Sequence, residues 1–220
     1  MKHVRKLLSL VMVFGILAGA LGVFILPVGA NTSSAANVAK ISYKMRITPG
    51  QNNHTIAYWW ATSGSKAVNS KFQNRILAAR EKIMYPGGGM TNPIILWRTT
   101  NNNDSKMDFY QMNLGDDIPA IATSWRRPTP TSQYQRMQLS DKDKFNWVYG
   151  EITLNHKFVE KHDPSDTLLE AIIIHEMMHV YGAKNIYDNR KSIMHGHPDQ
   201  WQNVKGLTAD ANQLLRNKYS

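Results

Sequence analysis

Apolar side chains recur along the chain at two spacings, and each spacing predicts one kind of secondary structure. Between residues 69 and 84 they lie three or four positions apart, as they would on one face of a helix. In most of the first three quarters of the chain they alternate with polar side chains or form short runs, which is typical of strands. The predicted strands cover residues 41–47, 94–98, 107–112, 118–124 and 151–159. The pattern therefore indicates a fold that mixes strands and helices.

Residues 1–30 have a different pattern from the rest of the chain. Three basic residues near the start precede an uncharged run over residues 7–26, and small residues follow up to Ala30. This is the layout of a secretory signal peptide that is cleaved after Ala30, with an uncleaved membrane anchor as the alternative. We expect residues 31–40, which are rich in Asn, Ser, Thr and Ala, to be a flexible leader, and residues 41–220 to form a single domain.

Composition narrows the classes of function that remain. The absence of cysteine from the sequence excludes disulfides, thiolate nucleophiles and cysteine-based zinc sites. The formal net charge of +10 favours anionic partners, and for an exported protein we expect association with an anionic cell wall. Nucleic-acid binding is the weaker interpretation, because the basic residues are scattered and form no concentrated run.

A second helix is predicted between Asp163 and Gly182. Asp163 is a suitable N-cap, Pro164 fits the first helical position, and Gly182 fits the position just after the last turn. The residues between them are apolar almost all round, which predicts a helix buried at the centre of the fold. Three polar side chains interrupt this apolar sequence near its C-terminal end.

These three side chains have the spacing of a metal site. His175 and His179 lie four positions apart, so both imidazoles project from one face of the helix and can hold one ion. Glu176 flanks the same face and can reach a water molecule bound to that ion. Zinc suits two imidazoles and an open coordination position. Three polar groups without partners would be costly on so apolar a helix, which favours a functional interpretation.

The sequence from His175 to Gly182, with Ser192-Ile193-Met194 behind it, resembles the core of the metzincin zinc metallopeptidases. The short spacing from glycine to methionine is most similar to the matrixin branch and its bacterial relatives. Residues 151–155 resemble the strand that precedes the active-site helix in that family. Residues 207–219 resemble its C-terminal helix.

The resemblance implies an α+β fold with a twisted, mostly parallel sheet, an antiparallel edge strand, a backing helix, an active-site helix, a Met-turn and a C-terminal helix. It implies a secreted endopeptidase, working as a monomer on protein or peptide substrates in a cleft between the edge strand and the Met-turn. Met194 would form an apolar floor under the metal without binding it. The pocket for the substrate side chain would be walled by His195, Gly196, His197 and Pro198.

The third metal ligand is where the sequence departs from the family pattern. The family places His, or in some members Asp, three residues after the glycine, and that position is Asn185 here. A neutral amide oxygen is a poorer zinc ligand than imidazole or carboxylate. Asp188 is the alternative if the loop is longer. His195, His197, a water molecule or no third protein ligand also remain open.

Two functions follow from these observations. The first is a zinc endopeptidase with Glu176 as general base. The second is a catalytically inactive relative that keeps the fold and binds a cell-wall or protein ligand, and Asn185 favours it. Calcium binding at the turn over residues 101–104 is a minor alternative that nothing else in the sequence supports.

Overall fold

The computed structural model describes residues 32–48 and 54–220, so the predicted signal peptide and its cleavage site lie outside the described residues. In chain order the elements are α1 (Thr32–Ile41), β1 (Thr55–Trp60), α2 (Ser70–Met84), β2 (Ile95–Arg98), β3 (Met107–Met112), β4 (Ala120–Arg126), β5 (Gln135–Arg136), β6 (Tyr149–Asn155), α3 (His156–His162), α4 (Asp166–Val180) and α5 (Ala209–Tyr219). Single 3₁₀ segments cover Asn102–Asp104, Leu139–Asp141 and Pro198–Asn203. Among the described helices, none is long and apolar enough to cross a membrane.

The six strands form one mixed sheet in the order β2-β1-β3-β6-β4-β5. The first four strands of this order are parallel to one another, whereas β4 runs antiparallel to β6 and β5 antiparallel to β4. The predicted α+β fold with a mixed sheet and a C-terminal helix is therefore confirmed. Since β5 pairs only with Trp125 and Arg126, the first half of β4 forms a sheet edge.

One face of the sheet carries the hydrophobic core. Four side chains on this face are neighbours across β1, β3 and β6 and are almost fully buried. They are Tyr58, Met107, Phe109 and Ile152. Helix α2 covers the core with its apolar stripe, whose buried members are Phe72, Ile76, Ala79 and Ile83. Helix α4 packs against α2, β4 and β6. The two helices therefore pack against each other and against the sheet.

The predicted helix over residues 69–84 is confirmed as α2. The Asn69 side chain accepts a hydrogen bond from the Phe72 amide at 3.0 Å, and so satisfies one of the free amides at the helix start. The predictions for residues 94–98 and 107–112 are confirmed as β2 and β3, and the strand predicted over 118–124 is β4, displaced by two residues. Strand β1 was missed, although it pairs with a strand on each side, β2 and β3.

The start of the described chain differs from the prediction. Residues 32–41 form helix α1 in place of the flexible leader, and the strand predicted over residues 41–47 is wrong. Only isolated bridges, at Ser42 and Ile47, remain of it. The reason is tertiary: α1 packs against α5, and this contact buries Val38 and Ile41.

The strand predicted over residues 151–159 is wrong in its second half. Strand β6 ends at Asn155, whose side chain accepts a hydrogen bond from the Lys157 amide at 2.9 Å and starts α3. The predicted N-cap of the next helix is also wrong. Asp163 ends α3 with a φ of 40°, and Ser165 caps α4 by accepting from the Leu168 amide at 3.2 Å.

Candidate metal centre

Helix α4 is fixed at its C-terminal end by side chains from distant parts of the chain. The Trp147 indole donates to the Val180 carbonyl at 2.9 Å, and the Tyr219 hydroxyl donates to the Tyr181 carbonyl at 2.8 Å. These bonds satisfy carbonyls that the helix itself leaves without partners. Gly182, with a φ of 98°, then takes the left-handed conformation expected after a helix end. The last turn, which carries the polar side chains, is therefore held rigidly.

His175 and His179 face each other through their Nε2 atoms, which are 3.0 Å apart. The Nδ1 of His175 bonds to the Ile193 carbonyl at 2.7 Å, and the Nδ1 of His179 bonds to the Ala183 carbonyl at 2.9 Å. A carbonyl only accepts, so each Nδ1 must carry the proton in these neutral rings. Both Nε2 atoms then present lone pairs to each other, and that repulsive contact is relieved by a cation that binds both.

Burial keeps both imidazoles in the neutral form that binds metals. Loss of solvent lowers the pKa of His175 well below its usual value, and the neighbouring His179 lowers it further. Loss of solvent likewise lowers the pKa of His179 to about 4, although its bond to the Ala183 carbonyl opposes this shift. Both rings are therefore available as ligands at neutral pH without first losing a proton.

Glu176 completes the cluster. One ligand atom each from His175, Glu176 and His179 lies within 4.8 Å of the others, so the three residues can hold a metal ion. Burial raises the pKa of Glu176 to about 7, while the Ala122 backbone amide and the Lys142 side chain oppose that rise. A carboxyl with such a pKa is suited to exchange protons near neutral pH.

The structure separates the candidates for a third ligand. Asn185 lines the same cleft as the three cluster residues, and its side chain is close enough to hydrogen-bond to both imidazoles. Asp188 lies elsewhere, because its exposed carboxylate pairs with Lys40 at 2.6 Å. His195 and His197 are not members of the cluster. Of Asn185 and Asp188, the structure brings only Asn185 to the histidine pair, whereas His195 acts on His175 from outside the cluster.

The Ser192–Met194 segment contacts the histidine pair at His175, whose Nδ1 donates to the Ile193 carbonyl. The Ser192 hydroxyl donates to Asp210 at 2.6 Å, and the Ile193 amide donates to the Thr208 hydroxyl at 3.2 Å. Both partners belong to the start of α5, which thus anchors the turn. Met194 is fully buried beside it.

An open cleft of ≈ 380 Å³ leads to the cluster. One wall is the segment from Asp117 to Ala122, which includes the free edge of β4, and the opposite wall contains Gly196 and Pro198. His195 and His197 line a neighbouring cavity instead. Of the four residues predicted to wall a substrate pocket, two therefore lie in the cleft.

Two residues that the sequence analysis missed contact or influence the site. The buried Trp201 ring packs against His175 with centroids 4.2 Å apart, and its indole donates to the His195 carbonyl at 3.0 Å. An isolated tryptophan in a polar segment was the available signal. Lys142 is buried near Glu176 and opposes the rise of its pKa. Nothing in the surrounding charged sequence distinguishes this lysine.

Comparison of the chain with models of known protein families gave no match, and comparison with curated proteins gave none either. The candidate site therefore rests on the geometry of the described residues.

Proposed function

We propose that this chain is a secreted zinc-dependent endopeptidase of the metzincin type, similar in motif spacing to the matrixin branch. The proposal rests on one observation. The Nε2 atoms of His175 and His179 lie 3.0 Å apart with their lone pairs facing each other, beside the buried carboxyl of Glu176. Two imidazoles on one zinc ion at the usual bond lengths lie about 3.3 Å apart, so the pair needs only a small adjustment. Asn185 supplies the third side chain, with Met194 below the pair.

Each group at the cleft has a separate role in the proposed reaction. Bound zinc supplies an acidified water molecule and a positive charge for the developing oxyanion. Glu176 accepts the proton of that water and delivers it to the leaving amine, a task that its raised pKa favours. The backbone bonds at the two Nδ1 atoms hold the imidazoles in the tautomer and orientation that zinc requires.

The free edge of β4 favours the proposal that the substrate is a peptide. An extended peptide can add to such an edge as a further strand, so that backbone hydrogen bonds bind it and individual side chains enter pockets. Residues 120–122 line the cleft beside Glu176, which brings a peptide carbonyl close to the proposed base. Gly196 and Pro198 on the opposite wall would contact one substrate side chain.

An inactive relative that binds a cell-wall or protein ligand is the second candidate. Asn185 favours it, because an amide contributes no charge to neutralise the ion and binds zinc more weakly than histidine does. In that case the cleft would serve for binding alone.

Metal analysis combined with a cleavage assay tests the proposal. The purified protein should contain one zinc per chain and cleave casein or a mixed peptide library, and a chelator should abolish cleavage. Zinc without cleavage would favour the inactive relative, and zinc well below one per chain without cleavage would reject the enzyme. N-terminal sequencing of protein from the medium should start at Asn31 if the proposed secretion is correct.

A further inference from the structure

A second cavity, of ≈ 350 Å³, lies on the face of the sheet opposite the core. Asp108 and Glu151 lie side by side on β3 and β6 and line it. Their neighbours Phe109 and Ile152 point the other way, into the core that holds α4. The cavity is therefore separate from the candidate metal centre, and the proposed function does not use it. Asn102 and Asn103, from the turn considered above for calcium, also line it.

Asp108 is a buried carboxylate at this cavity, and its two oxygens differ in their hydrogen bonding. Its side chain is almost fully covered, at 3% relative exposure, yet it lines the cavity. Its Oδ2 accepts from the hydroxyls of Tyr149 at 2.9 Å and Tyr110 at 3.3 Å, which fixes the orientation of the group. Its Oδ1 makes no well-formed hydrogen bond among the described residues, although the Ser105 hydroxyl acts on the Asp108 carboxylate. Buried polar atoms normally have a partner, so the site lacks one.

The charge around Asp108 is also unbalanced. Glu151 is its direct neighbour across the two strands, where like charges repel each other. Neither carboxylate forms an ion pair within residues 54–220, although the chain has 26 Lys and Arg against 16 Asp and Glu. Burial raises the pKa of Asp108, the hydroxyls of Ser105, Tyr149 and Tyr110 oppose that rise, and Glu151 adds a small further rise. A positive charge in the cavity would stabilise both groups.

Aromatic rings form the walls of the cavity. Trp125, Tyr134 and Tyr149 line it, and the two tyrosine rings lie 6.1 Å apart at an angle of 51°. The face of an aromatic ring attracts a cation, and the Arg127 guanidinium already lies 5.5 Å from the centre of the Tyr134 ring. The Trp125 Nε1 is buried and has no hydrogen-bond partner within the described chain.

We propose that this cavity binds an organic monocation, an alkylammonium or guanidinium group, with Asp108 as the buried counter-charge and the aromatic rings as walls. A metal ion fits less well. The tyrosine hydroxyls already donate to Asp108, which leaves two carboxylates and the amide oxygens of Asn102 and Asn103, where calcium takes six to eight oxygens. The cation is either a free small molecule or a Lys or Arg side chain of a peptide.

Calorimetric titration of the purified protein, with tryptophan fluorescence as a second signal, tests this proposal. The probes are n-butylammonium and methylguanidinium chloride for a free cation, and N-acetyl lysine and arginine methylamides for a peptide side chain. We expect saturable binding of at least one probe, and tighter binding of the capped amino acids than of the free cations would identify a peptide as the source. Sodium chloride, calcium chloride and N-acetylglucosamine serve as controls that should not bind.

The variants Asp108→Asn, Tyr134→Ala and Asp116→Asn complete the experiment. Asp108→Asn keeps the shape of the side chain and removes its charge, so binding should weaken about tenfold or more. Tyr134→Ala removes a largely exposed wall residue and should also weaken binding, even if Asp108→Asn fails to fold. The control Asp116→Asn removes an exposed carboxylate outside the cavity and should bind like the wild type. Absence of saturable binding, unchanged affinity in Tyr134→Ala, or binding of calcium or the sugar in place of the cations would overturn the proposal.

Discussion

At the scale of single residues, Glu176 and the two histidines have separate tasks in the proposed reaction. The histidine Nε2 atoms point at each other, whereas the Glu176 carboxyl lies beside them and is buried under Ala122. Glu176→Ala should therefore lower peptide hydrolysis by about 10²–10⁴-fold, the usual contribution of a general base, while the zinc content stays near one per chain. Turnover and metal content of the same preparation give the result.

The matched control is Glu160→Ala, which removes an exposed carboxylate on α3 that pairs with Lys157. Its turnover should equal that of the wild type. Near-normal turnover in Glu176→Ala would refute the role of base, and loss of zinc along with activity would show that Glu176 holds the metal.

Asn185 provides the second prediction at this scale. Its amide is near both imidazoles, so Asn185→His would add a stronger ligand at the same position. We expect zinc to be held more tightly in competition with a chelator. Asp188→Ala should leave zinc affinity unchanged, because that carboxylate is exposed and bound to Lys40. Loss of zinc in Asp188→Ala, with no effect in Asn185→His, would reverse the assignment.

At the scale of elements, the position of α4 depends on its close approach to β6. A Cβ added to Gly150 would lie 2.4 Å from the Val180 Cγ1, and Val180 directly follows His179. Gly150→Ala should therefore push the last turn of α4 outwards, weaken zinc binding and lower the free energy of unfolding by about 1–3 kcal/mol. Denaturant unfolding and chelator competition measure the two effects. Gly206→Ala is the control, since its Cβ would meet nothing closer than 3.7 Å.

The contact between α2 and α4 also depends on a partly buried charge. The Glu170 side chain is 10% exposed and pairs with Arg75 at 2.7 Å and with Lys82. Glu170→Gln should lower the free energy of unfolding by about 1–3 kcal/mol, because Lys82 loses its counter-charge and Arg75 keeps only the exposed Asp166. Asp166→Asn should cost only about 0–1 kcal/mol, since Asp166 pairs with the same Arg75 at 62% exposure. If urea unfolding gave equal losses of unfolding free energy in Glu170→Gln and Asp166→Asn, burial would not determine the strength of these ion pairs.

The elements that could be predicted are those whose signals are local. The apolar stripe of α2, the alternation in β3 and the glycine after α4 each lie within a few residues of what they determine. The helix α1 could not be predicted, because its burial depends on α5 at the other end of the chain. The end of β6 at Asn155 depends on a cap in an otherwise alternating sequence.

The same distinction applies to the candidate site. His175, Glu176 and His179 lie on one helical turn, so their spacing alone predicted that they would meet. Trp201 and Lys142 reach the site through the tertiary fold, and no spacing in the sequence connects them with it. For Asn185 and Asp188 the sequence left both open, because only the path of the loop decides which one faces the histidines.

At the scale of the whole molecule, the sheet separates two candidate sites of opposite character. The core face holds the proposed zinc centre, and the opposite face holds two carboxylates without cationic partners among residues 54–220. The chain as a whole is strongly basic, with a formal net charge of +10. Affinity for anionic polymers stays a prediction from that charge, and the second cavity is a local exception to it.

Metal binding should also contribute to the stability of the whole domain. The two Nε2 lone pairs repel each other in the folded chain, and α4, which carries them, connects α2, β4 and β6. A ligand that binds only the folded state at 100 times its dissociation constant stabilises it by about 2.7 kcal/mol, or roughly 5–10 °C in melting temperature for a domain of this size. EDTA should therefore lower the melting temperature by that amount, and excess zinc should restore it. His175→Ala should melt at one temperature with or without EDTA, whereas an equal EDTA effect in this variant would place the stabilising metal elsewhere.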